Sequence, residues 1–198
     1  MARPPDPERR LELLDQVVRY LAENGLAQAT LRPMAAALGV SSNSLIHHFG
    51  PKEDLLAAAL DRATQLQKQV LAGWLQRKPK QSQADQLRRW WKWLSTDPAN
   101  LAFVRLGLEA AAVAPAITGL DGDVRAEQIG VWRTSLEAGL GEDGLSAQQA
   151  YLEASITKAL FTGMVIDLIA TGDRKRLNAA MEQALQRLDR VVADSKLR

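Results

Sequence analysis

The chain of 198 residues contains no cysteine and two histidines, and its 25 basic side chains are almost balanced by 23 acidic ones. Without cysteine there is no disulfide framework, no thiolate-ligated zinc, no iron–sulfur cluster and no cysteine nucleophile. Such a composition fits a reducing compartment. The formal net charge of +2 gives bulk electrostatics no part in attracting nucleic acid. A long hydrophobic run is also missing. The most apolar stretch, Ala159 to Ala170, is interrupted by Asp167 and falls short of the roughly 20 residues that a membrane span needs, so it reads as a buried core helix. Met1 to Arg10 is polar and proline-rich with no apolar run behind it, which is not the pattern of a secretory leader. The expectation is a cytoplasmic protein with no membrane partner. The remaining composition, 46% apolar and 24% charged, is that of an ordinary globular chain of one domain or two small ones.

What is present is helix. β-branched and aromatic residues never alternate with polar ones over strand lengths. Leu11, Leu14, Val18 and Leu21 recur at helical spacing, and Gly25 follows as a C-terminal cap. Thr30 can cap a second helix whose Leu31, Met34, Ala35 and Leu38 face inward, although Pro33 disfavours helical geometry at Arg32. Gly39 ends it. Ser41 or Ser42 caps a third short helix to Phe49, with Leu45 and Phe49 inward. Gly50-Pro51 restarts the chain as one long helix ending before Pro79, with Glu53 and Asp54 at its positive end. Further helices are expected at about Ser82 to Thr96, Pro98 to Val113, Asp123 to Gly139, Ala147 to Ala170 and Asp173 to Ser195, with breaks that include Pro115. The fold class is all-α, about nine helices. Residues 1–54 form a three-helix N-terminal domain and 55–198 a helical C-terminal domain.

The second and third helices are short and joined by Gly39-Val40-Ser41, the helix-turn-helix arrangement whose second helix enters a major groove. With Leu45 and Phe49 turned inward, the third helix offers Ser42, Asn43, Ser44, Ile46, His47 and His48. Asparagine can bond an adenine edge with two hydrogen bonds, and serine serves several bases. Lys52 opens the next helix beside its N-terminal amides, where a phosphate would be held. A solvated surface helix is the alternative on these residues alone. His47 and His48 point about 100° apart on a helix, so no metal site and no cofactor is expected.

The segment from Thr30 to Leu56, TLRPMAAALGVSSNSLIHHFGPKEDLL, resembles the DNA-binding region of the tetracycline-repressor (TetR) family. The resemblance runs from about Leu11 to Leu60 and includes Asn24-Gly25 and the run from His47 to Glu53. It implies a homodimeric repressor, an operator DNA with two-fold symmetry and one small-molecule effector per subunit. Four positions depart from the family pattern. Ile46 stands where tyrosine is usual and offers only apolar contact, Asn43 where glycine is frequent, Ser42 where lysine is frequent, and Pro33 is uncommon. An unusual operator with fewer phosphate contacts is expected. Ser42, Asn43, Ser44 and His47 are assigned to bases. Thr30, His48 and Lys52 are assigned to the backbone, and Arg32, Ser41 and Ile46 complete the DNA-facing set; Arg3, with Arg9 and Arg10, is either an arm toward phosphates or a minor groove or part of a disordered tail.

In the C-terminal half, Leu177, Met181, Ala184, Leu188 and Val191 make a heptad seam. The helix before it is apolar on more than one face, with Leu152, Ile156 and Leu160 on one stripe and Gly163 permitting close approach. Intrachain core is the plain reading; the resemblance favours a four-helix dimer interface. Trp90, Trp91 and Trp93 cannot all face one way. Trp74, Trp90, Trp93, Phe103, Leu106, Trp132, Phe161 and Met164 are candidates for a largely apolar effector pocket, with Glu109 or Asp167 as polar anchor.

The leading expectation is therefore a repressor released from DNA by an effector. A divergent protein-binding adaptor without DNA affinity is the second. A helical enzyme is the third, and no catalytic triad spacing, metal-binding His-Glu motif or phosphate-binding glycine loop supports it. Charge is unevenly distributed. Residues 1–54 hold six basic and seven acidic groups, while 55–93 hold eight and two. DNA affinity should then rest on a few placed contacts, with weak non-specific binding. The basic stretch 62–93 could flank DNA, pair with the acidic middle or attract an anion.

Overall fold

In the computed structural model, residues 7–27, 29–75, 81–118 and 122–197 are described; for 67, 68, 71–75, 110–118 and 122–131 the description covers the backbone alone. Among the described residues the chain forms helices and no strand: α1 (Pro7–Asn24), α2 (Leu31–Ala37), α3 (Ser42–Phe49), α4 (Lys52–Leu75), α5 (Gln83–Thr96), α6 (Pro98–Thr118), α7 (Gly122–Glu142), α8 (Ala147–Thr171) and α9 (Arg174–Ser195). Pro115 does not break the chain as expected but lies inside α6.

The chain divides into two compact units. One comprises 1–71 with 102–125, the other 72–101 with 126–198. The first unit thus extends well past residue 54, taking in most of α4 and a length of α6. Its core joins Leu13, Leu14, Val17, Val18 and Leu21 of α1 to Met34, Leu45, Phe49, Leu55, Leu56 and Leu60, and Leu106 of α6 completes it. Leu11, expected on the inward face, is 46% exposed. At 100° per residue it stands on the flank of the stripe, about 70° from its centre. The C-terminal end of α1 is closed from α6. The Arg105 guanidinium donates to the Ala22 carbonyl at 2.6 Å and to that of Glu23 at 3.2 Å, and Glu109 accepts the Leu26 N–H at 2.9 Å. Gly25 has φ +82° there, a conformation that glycine adopts without strain. Arg62 of α4 makes a two-pronged bond to Asp15 of α1, at 2.7 and 3.1 Å.

In the second unit α9 lies along α5 and α8. Arg88 of α5 donates to Glu182 at 3.0 Å and to Asp189 at 2.6 Å, and holds the Glu182 carboxyl below the usual carboxylate range. Trp91 donates its indole N–H to Asn178 at 2.8 Å. The basic stretch 62–93 is thus partly accounted for: Arg62 pairs within the first unit and Arg88 with α9, neither with the acidic middle of the chain. α8 is long and apolar enough, by length and composition, to cross a membrane. One of its faces is buried in this unit through Ala150, Ala154, Thr157, Phe161, Val165 and Leu168.

Candidate nucleic-acid interface

The helix-turn-helix is assembled by local bonds. α2 ends as Leu38 donates to the Met34 carbonyl, and the turn closes as Val40 donates to that of Ala35 at 3.0 Å. Ser41, rather than Ser42, caps α3, its hydroxyl oxygen accepting the Ser44 N–H at 3.1 Å. Thr30 occupies the N-cap of α2 in extended geometry, but its side chain makes no cap bond. Pro33 is accommodated because it falls in the first turn of α2, where a missing N–H leaves no bond unmade. Ser41→Ala is expected to weaken α3 by about 1 kcal/mol, read as a roughly fivefold faster hydrogen exchange of its amides.

Burial of Leu45 and Phe49 fixes which face of α3 is free. Asn43, Ile46 and His47 are exposed, and Ser42, Ser44 and His48 are half-buried. Thr30, Arg32 and Ser41 are exposed beside them, and Lys52 is half-buried at the first position of α4. Ile46, at 45% exposure, is an apolar side chain presented to solvent by a two-turn helix. The His47 and His48 rings meet edge-on at 5.5 Å. The His48 Nδ1 is buried with no partner among the described residues, and its main-chain carbonyl accepts from Arg10. Arg3 lies outside the described residues. Arg9 pairs with Glu12 of its own helix. No group of His, Cys, Asp and Glu among the described residues could hold a metal ion.

The pocket candidates divide between the units. Trp90, Trp93, Trp132 and Phe161 come together in the second: Trp90 lies 5.2 Å from Trp132, 5.5 Å from Phe161 and 6.4 Å from Trp93. Trp91 turns inward and is 5% exposed, whereas Trp90, Trp93, Trp132 and Met164 are half-buried. Phe103, Leu106 and Glu109 belong to the first unit. There Leu106 is core, Phe103 packs against it, and Glu109 is engaged by Leu26. The side chain of Trp74 lies outside the described residues. Asp167 is not a free anchor. Arg176 binds it with two bonds of 2.7 and 2.9 Å and holds its carboxyl below the usual range. Sequence reasoning missed Lys158, a half-buried lysine on α8 whose ammonium is pushed down by burial and by the charge of Arg133; no periodic signal marks such a residue.

The interface candidates also divide. Leu152, Ile156 and Leu160 are 51%, 49% and 37% exposed on one face of α8, and among the described residues no atom crowds Gly163. On α9, Leu177, Met181 and Leu188 are buried within the single chain, with Ala184 and Val191 half-buried. The seam faces the chain's own α5 and α8, and the interface candidates left exposed among the described residues are those of α8.

Residues 13–59 match a family model described as bacterial regulatory proteins, tetR family. A stretch of 48 residues is 48% identical to the HTH-type transcriptional repressor KstR2 of Rhodococcus jostii (strain RHA1), covering 24% of either chain. The alignment thus spans about a quarter of that relative's length. A transcriptional regulator from Rhodococcus sp. Rha1 has the same fold, with a TM-score of 0.72 at 24% identity over 91% of this chain and 95% of that one. The multidrug binding protein EbrR, solved with imidazole, has a TM-score of 0.61 at 25% identity over 93% of each chain.

Proposed function

We infer that this chain, which belongs to the tetR family of bacterial regulatory proteins through its residues 13–59, is a transcriptional repressor rather than an enzyme. It binds a palindromic operator as a homodimer in the cytoplasm, and a small, largely apolar effector releases it. One observation carries this reading: a two-turn helix, capped by Ser41 and anchored by Leu45 and Phe49, that offers Asn43, Ile46 and His47 to solvent. In a dimer, two such helices about 34 Å apart would meet successive major grooves. An effector that alters their separation lowers affinity while leaving each contact residue intact. The cluster of Trp90, Trp93, Trp132 and Phe161 is the favoured effector wall, and the exposed α8 face the favoured dimer surface.

Footprinting on DNA upstream of the protein's own gene, with and without a metabolite panel, tests this. A protected palindrome lost on addition of one compound supports the reading; no protection at any salt concentration favours the adaptor instead. Lys52→Ala is expected to weaken operator binding and to reduce the salt slope by about 0.9 per head. An unchanged slope removes Lys52 from the phosphate contacts.

A further inference from the structure

We propose that Arg10 is a positioning residue for DNA recognition, one that holds the C-terminal end of α3 from α1 and touches no DNA. The inference rests on the reading of α3 as the helix that enters the groove. α3 has eight residues, too few to be stable by itself, since isolated helices below about 12 residues are marginal in water. Its N-terminal end is closed by Ser41. At the other end the last carbonyls lack intrahelical partners. The Ile46 carbonyl is taken by the Gly50 N–H at 2.8 Å. The His48 carbonyl is taken by Arg10, whose Nε donates to it at 3.1 Å across 38 positions of sequence.

Three effects converge on that one side chain. The hydrogen bond satisfies an orphan acceptor. The positive charge sits at the negative end of the helix. The guanidinium also lies 5.0 Å over the centre of the Phe49 ring, a cation–π contact with one of the two residues that anchor α3 in the core. Arg9 next to it does none of this: it pairs with Glu12 on its own helix. Of two adjacent arginines, one faces α3 and the other does not. Pivoting of α3 about its buried Leu45 would carry Asn43 and His47 away from base edges, and Arg10 opposes that pivot.

The test compares Arg10→Ala and Arg10→Lys with the wild-type full-length protein, using a duplex selected by that protein from a random library. Arg10→Ala is expected to bind about tenfold more weakly with an unchanged salt slope, and its amide exchange without DNA should accelerate in α3 but not in α1 or α4. Arg10→Lys keeps the charge and should recover part of both. A salt slope reduced by about 0.9 per head makes Arg10 a phosphate contact and overturns the proposal. So does unchanged α3 exchange, or acceleration spread over the whole unit, which marks a general loss of stability. If the wild-type protein selects no duplex, the DNA-binding reading fails, while the exchange measurement still decides whether Arg10 holds α3.

Discussion

Phe161→Ala is expected to lower the stability of the second unit by about 3–5 kcal/mol, the range for removing a fully buried aromatic ring. Phe161 is 0% exposed and its ring lies 5.5 Å from Trp90, 6.1 Å from Trp91 and 5.5 Å from Trp132. Three indoles therefore lose a common neighbour at once. The measurement is direct, because all five tryptophans fall in this unit. Urea unfolding followed by tryptophan fluorescence reports it while the head is silent. Loss of less than about 1 kcal/mol would mean that the cluster tolerates collapse around the cavity. The same variant probes the effector proposal, since a ligand seated against these rings should lose affinity or partly restore the lost stability.

If the exposed α8 face forms the proposed homodimer, Ile156→Glu is expected to produce a monomer that folds but binds the proposed operator at least about a hundredfold more weakly. Ile156 is 49% exposed midway along the α8 face that also carries Leu152 and Leu160, so the carboxylate costs the single chain little. At a two-fold interface the residue meets its own equivalent or a near neighbour, and two buried like charges oppose association. Once the dimer is lost, the second head no longer binds at the millimolar effective concentration set by its tether, and the gain from two half-sites disappears. Sedimentation and band shift on one preparation check both halves. A dimer that persists with full affinity would move the interface off this face.

Both predictions depend on features with different standing in the sequence. The helix-turn-helix is legible because its signals are local: Gly39-Val40-Ser41 between two short apolar patterns, a serine cap, and a glycine-proline break. Each acts within four residues, where backbone bonding and capping follow from residue type. Turning Leu45 and Phe49 inward leaves Asn43, Ile46 and His47 exposed, whereas Ser42, Ser44 and His48, read along the chain as equally free, are half-buried.

The α9 heptad seam shows where this stops. A stripe of Leu177, Met181 and Leu188 must be buried, but the spacing is the same whether it faces another subunit or its own α5 and α8. Which surface it meets depends on the path of the chain between α5 and α9, and no local pattern encodes that. Acidic residues posed the same difficulty. Asp167 and Glu109 read as candidate polar anchors of a pocket, yet Arg176 and the Leu26 amide are their partners.

The near-neutral charge resolves on the same terms. Composition established a helical, cysteine-free chain with a head of net negative count and a basic stretch after it. It could not say that Arg62 answers Asp15 or that Arg88 answers Glu182 and Asp189. Nor could it say that Arg10 faces the end of α3 while Arg9 does not. Local bonds are written in neighbouring residues, so capping, turns and amphipathic faces can be read along the chain. Ion pairs and packing join residues as far apart as 101 positions, and their partners are set by how the helices come together.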